Sequence, residues 1–94
     1  MSVKNIDFDD NEIVDLYKQI GANVKRIRQE KGVTQLELGL AIGHTGVGTV
    51  SVAEIYYKNK HFNIEHLYKI AKVLDVDISE FFKISDLPSD IGLK

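Results

Sequence analysis

Residues 34–54 read TQLELGLAIGHTGVGTVSVAE, and the fold of the chain is decided by how this stretch divides. Thr34 followed by Glu37 is a reciprocal capping signal: the hydroxyl accepts from the amide of residue 37, while the carboxylate returns to the amide of residue 34. A helix therefore starts here. Leu38 and Ile42, four residues apart, share a core-facing side, Gly39 permits close approach of another helix, and Gly43 suits a left-handed residue just past the helix end. GHTGVGT (43–49) then reads as a turn in which Thr45 or Gly46 caps a further helix, roughly Val47 to Tyr57. That helix is rich in Val and Thr and is intrinsically weak, so a face of Val50, Ala53 and Tyr57 must hold it by packing. The stretch is thus two short helices joined at a tight corner.

The flanking residues supply what would clamp such a corner. Upstream, Ile13, Leu16, Tyr17, Ile20, Val24 and Ile27 recur at spacings of three and four, a single apolar stripe on a helix of about five turns. Asp9 or Asp10 caps it, Gly32 ends it, and Gly21 is a point where it could kink. Acids in its first turn (Asp10, Glu12) and cations in its last turns (Arg26, Arg28, Lys31) suit the helix dipole. Downstream, KNKHF (58–62) is a basic loop, Asn63 caps a helix with Ile64, Leu67, Ile70, Ala71 and Leu74 at helical spacing, and Asp77 caps a short last helix from Ile78 to Lys83. Residues 1–9 read as a mobile lead, 10–84 as one domain and 85–94 as a tail. The fold class is all-α, with five helices and an extended first one.

A chain of 94 residues with 44% apolar and 28% charged side chains is ordinary globular composition for a single core. Its net charge of −2 conceals a segregation. Residues 1–16 hold one Lys against five acids, 17–72 nine Lys or Arg against four Glu, and 73–94 two Lys against five acids. A basic middle between acidic ends is compatible with a nucleic-acid partner. The absence of cysteine excludes disulfides and thiolate metal sites. No apolar run approaches the roughly 20 residues of a membrane span, and the acidic start lacks the basic opening of a signal peptide, so a cytoplasmic location is expected. His44, His61 and His66 have no zinc-type spacing, Ser51 has no His/Asp partners, and Gly46 and Gly48 are not followed by the lysine of a phosphate loop. Neither a metal, a cofactor, a small-molecule ligand nor an enzymatic activity is expected.

IRQEKGVTQ (27–35), the small Gly39, the turn Gly43, VSVAE (50–54) and IEHLYKIAKVLDV (64–76) occur in an order that resembles the small helix–turn–helix domain of phage repressors and related bacterial regulators, the Cro/cI or XRE-type family. The resemblance spans about Ile20 to Phe82. It implies a five-helix, lambda-repressor-like domain that binds double-stranded DNA with its third helix in the major groove and its second across the backbone. It also implies that Gln35 and the start of the second helix hold a phosphate, that Lys58 and Lys60 make further phosphate contacts, and that Arg28 and Glu54 pair between the first and third helices. Symmetric operators imply a homodimer on half-sites roughly 34 Å apart. The dimer surface is sought in Ile78 to Ile84, because Phe81 and Phe82, being adjacent, cannot both enter so small a core.

The chain departs from the family where DNA would be read. From Leu38 to Glu54 it is one residue longer than the common spacing, and Tyr56 stands where the family often has glycine, so the third helix is expected to run on through Tyr57. The reading positions fall at Val47, Gly48, Thr49 and Val52. None of these side chains can make the bidentate hydrogen bonds by which Arg, Lys, Asn and Gln best discriminate bases. What remains is contact of Val47 and Val52 with thymine methyls, single hydrogen bonds from Thr45, Thr49 or Ser51, and His44 in the turn. Specificity would then rest on DNA shape and phosphate placement. An alternative keeps the fold but binds a protein partner, as an antitoxin-like or anti-repressor-like module, through Leu36 and Leu40. The competing expectation, which is preferred, is that this pair packs against the extended first helix.

Overall fold

The computed structural model describes residues 4–43 and 48–84. Among these there are four α-helices, α1 (Asp10–Glu30), α2 (Gln35–Ala41), α3 (Gly48–Glu54) and α4 (Ile64–Leu74), with 3₁₀ turns at Tyr57–Asn59 and Ile78–Phe82 and no strand. The all-α class holds. The fifth helix does not form as an α-helix: its five residues make only a 3₁₀ turn, capped by Asp77, whose carboxylate accepts from the Ser79 amide at 2.8 Å. So short a segment closes too few backbone bonds to repay helix nucleation.

Local capping sets the helix starts. Asp9 accepts from the Asn11 amide while Glu12 returns to the Asp9 amide, and Thr34 and Glu37 do the same at 3.0 and 2.8 Å. At α4, Asn63 accepts from the His66 amide at 2.7 Å, and His66 takes the reciprocal role by accepting from the Asn63 amide at its Nδ1. The bonds from the Thr34 backbone and then its hydroxyl hold the Glu37 carboxyl below its ordinary value, as the Ser79 hydroxyl and amide do for Asp77. Gly32 at φ 73° and Gly43 at φ 91° end α1 and α2 in the left-handed region, where a Cβ would be strained.

The core is built around Val24, Leu38, Val50, Leu67, Ile70 and Phe81, all essentially without solvent contact. Only the second half of the α1 stripe reaches it. Ile20, Val24 and Ile27 are buried, whereas Ile13 and Leu16 are exposed, because α1 spans 21 residues, nearer six turns than five, and overhangs its shorter partners. Gly21 is no kink. The helix runs through it unbroken, and a Cβ there would lie 2.5 and 2.6 Å from the carbonyl oxygens of Glu54 and Ala53, so the glycine lets α1 and the end of α3 touch backbone to backbone.

Further expectations are corrected at α3 and α4. α3 stops at Glu54 instead of continuing through Tyr57, because Tyr56 turns left-handed at φ 58°; this is the position at which glycine is usual. Tyr57 is consequently exposed, and Ile64, at the first turn of α4, points to solvent as well. Phe62, at the end of the basic loop, is buried in the same core cluster as Leu67. The two occupy the positions before the cap and at the fourth helical residue, a hydrophobic staple that fixes how the chain enters α4.

The C-terminal segment is tied down by a residue that carries no obvious sequence signal. Asn23 is buried on α1, and its Nδ2 donates to the carbonyls of Phe81 and Lys83 at 2.9 and 2.8 Å. This anchorage places Phe81 wholly in the core and leaves Phe82 half-exposed. Phe81 therefore cannot be a dimer contact, and of the two only Phe82 is available to a partner.

Candidate nucleic-acid interface

α1, α2 and α3 are tied together by a buried polar cluster. Arg28 Nε donates to Glu54 Oε2 at 2.7 Å and Nη2 to Oε1 at 3.1 Å, a two-pronged pair, while Nη1 donates to the Val33 carbonyl at 2.8 Å. The Glu54 carboxylate is fully buried and the Arg28 side chain nearly so. Each unit of this pair is thus hydrogen-bonded as well as charge-compensated, the condition under which burying an ion pair is tolerable. Gln35 completes the cluster: its Nε2 donates to Glu54 Oε1 at 2.9 Å, which joins the first residue of α2 to the last of α3. Sequence reasoning placed Gln35 at a phosphate and missed this bond. One Nε2 hydrogen and the amide oxygen stay available, because a carboxamide offers two donors and one acceptor oxygen.

On α3, Val50 and Ala53 face inward, Gly48 is exposed, and Thr49, Ser51 and Val52 are half-exposed. Ser51 Oγ donates back to the Gly48 carbonyl at 3.2 Å, so its hydroxyl can face another molecule only as an acceptor. His44, Thr45 and Val47, with the cap expected at Thr45 or Gly46, lie outside the described residues. Thr49, Val52 and Gly48 line one wall of a surface crevice whose other wall is Lys60, His61 and His66. The exposed face of α3 and the basic loop therefore meet.

The loop itself is an unusual piece of backbone. Tyr56, Lys58 and Asn59 all take positive φ, at 58°, 51° and 64°. Each such non-glycine residue costs on the order of 1 kcal/mol or more and persists only where its surroundings enforce it. Two backbone bonds help, from Asn59 N–H to the Tyr56 carbonyl and from Lys60 N–H to the Tyr57 carbonyl. An aromatic stack helps further: the Tyr17 ring lies 3.7 Å from that of His61 and 5.9 Å from that of Tyr56, nearly parallel to both. Lys58 and Lys60 are exposed, with Lys58 Nζ 5.5 Å from the Tyr57 ring centre.

With this geometry in place, comparison with known families is decisive. A helix–turn–helix family model matches residues 24–81, which is more than half of the chain. The chain belongs to the helix–turn–helix family. As a helix–turn–helix protein it falls among DNA-binding regulators, and the matched segment contains α2, α3, the basic loop and α4. The first fourteen residues of α1, 10–23, precede it. No curated protein matches the chain.

The helix–turn–helix surface differs from expectation at α2. Leu36 and Leu40 are 50% and 60% exposed, so neither is buried against the extended α1, whose Tyr17 meets Tyr56 and His61 instead. Among the described residues there is no group of three or more side chains able to hold a metal, and no helix long and apolar enough to cross a membrane.

Proposed function

We propose that this protein is a sequence-specific transcriptional regulator that binds double-stranded DNA as a homodimer, with α3 in the major groove. The observation that carries the reading is the meeting of the α3 face with the basic loop. Thr49 and Val52 border the same crevice as Lys60 and His61, so a duplex whose bases lie on α3 brings its backbone to Lys58 and Lys60. Gln35 supplies the phosphate contact on the other helix of the motif, with its remaining donor. Val52 meets thymine methyls, Thr49 makes a single hydrogen bond and Ser51 accepts one. With no bidentate group among the described residues of α3, discrimination rests mainly on groove shape and deformability. Phe82 is the aromatic candidate for the dimer surface.

A second reading has its own support in the exposure of Leu36 and Leu40, an apolar pair one turn apart on α2 that suits a protein partner. Selection from pooled genomic fragments at rising salt separates the two. The DNA reading expects enrichment of a two-fold symmetric site, and a logarithm of affinity that falls linearly with the logarithm of salt at about 0.9 per phosphate neutralised. No enrichment, with affinity no better than that of an acidic control protein, would leave the protein-partner reading in its place.

A further inference from the structure

The extended first helix presents a side chain to the basic loop, and the geometry points to Tyr17 as the residue that positions Lys58 and Lys60 for DNA. Tyr17 lies in the part of α1 that precedes the family match at residues 24–81. It is only partly buried and contributes nothing to the hydrophobic core. Its ring instead stacks on His61 at 3.7 Å with 12° between planes, and on Tyr56 at 5.9 Å with 11°. These two residues bracket the loop that contains both lysines. Over this loop three non-glycine residues, Tyr56, Lys58 and Asn59, take left-handed conformations. A loop in such a conformation relaxes to other geometries unless its ends are held, and Tyr17 holds both ends from a rigid helix.

The consequence for binding is one of preorganisation. Lys side chains are flexible, so their phosphate contacts depend on a backbone already fixed at the right height beside α3. His61 and Lys60 share the crevice with Thr49 and Val52, so a displaced loop misplaces the cations relative to the reading face. Flat, nearly parallel stacking needs an aromatic ring but not the Tyr17 hydroxyl, which makes phenylalanine the conservative replacement.

The inference rests on the DNA reading above, and the test separates the two. The full chain and its Tyr17→Ala and Tyr17→Phe variants are titrated with the selected duplex at several salt concentrations, with thermal melts in parallel. Tyr17→Ala is expected to weaken binding about five- to tenfold and to lower the salt slope by about one to two, the signature of lost phosphate contacts. Tyr17→Phe should match wild type in both. If Tyr17→Ala fails to fold, Tyr17→Leu, which keeps bulk without a stacking ring, takes its place with the same expectation. Wild-type affinity and slope in the non-aromatic variant would overturn the inference, as would a loss with unchanged slope or an equal loss in Tyr17→Phe. A wild-type chain that binds no duplex would instead refute the DNA reading itself.

Discussion

Glu54→Ala is expected to cost about 3–5 kcal/mol of stability, because it strands the buried Arg28 guanidinium and unpairs Gln35 in one step. In a domain of this size that corresponds to a fall in melting temperature on the order of 15–30 °C. Arg28 sits beneath the surface with its side chain only 8% exposed, so water cannot replace the lost carboxylate cheaply. Glu65→Ala is the matched control. Glu65 also pairs, with Lys69 at 2.7 Å, but both groups are largely in solvent, and such a helix pair contributes about 0.3–0.5 kcal/mol. Thermal melts of the two variants are the measurement. Equal melting temperatures would show that the Arg28–Glu54–Gln35 cluster does not hold α3.

Gly21→Ala is expected to destabilise the protein by about 1–2 kcal/mol net, against the direction that helix propensity alone would give. Replacing a mid-helix glycine with alanine in an open position gains about 1 kcal/mol. At Gly21 the added methyl would stand 2.5 Å from the Glu54 carbonyl oxygen and 2.6 Å from that of Ala53. No rotamer change relieves a clash with backbone, so α1 and α3 must separate. Overpacking of this kind typically costs about 1–3 kcal/mol and occasionally more. Here it also pulls on Glu54 and its ion pair. Gly48→Ala, which adds a methyl with nothing within 4 Å among the described residues, should be neutral or slightly stabilising. A Gly21→Ala variant that melts at or above wild type would contradict the close contact of the two helices.

What was legible in the sequence is what is decided over three or four residues. The capping pairs at Thr34 and Glu37 and the caps Asn63 and Asp77 are local chemistry, and each falls where its residues indicate. The side of α1 and α4 that faces the core was legible too, since helical spacing fixes it. How far along α1 the core extends was not, because that depends on the lengths of its neighbours, and so Ile13 and Leu16 share the stripe's spacing without sharing its burial. The end of α3 was hidden for a related reason. Nothing next to Tyr56 in sequence demands a left-handed turn; the ring of Tyr17, 39 positions upstream, is among the contacts that sustain it. Asn23 was missed because a polar residue between Ile20, Val24 and Ile27 gives no hint that it will bind carbonyls of the last turn. Phe62 could have been found, since Phe62 and Leu67 bracket the Asn63 cap at staple spacing.

At the interface, the same division applies. Family resemblance selected α3, Gln35, Lys58 and Lys60, but not their mutual arrangement. Gln35 is engaged by Glu54, so a phosphate at Gln35 would be felt by the residue that ends α3. Phe81 and Phe82, indistinguishable in sequence, are separated by the way Asn23 grips the chain around them. These details tie α3 to α1 at its end, through Glu54, Arg28 and the Gly21 contact, and tie the loop to α1 through Tyr17.

The central claim is that DNA lies on α3 and its flanking loop, and amide chemical-shift mapping tests it directly. An isotopically labelled chain is titrated with the duplex recovered by selection. The expected result is that the amides of Gly48, Thr49, Ser51 and Val52, with those of Gln35, Lys58 and Lys60, shift or broaden in proportion to bound DNA. Unmoved amides on α3 and the loop, with the changes gathered on α4 or around Leu40, would contradict it.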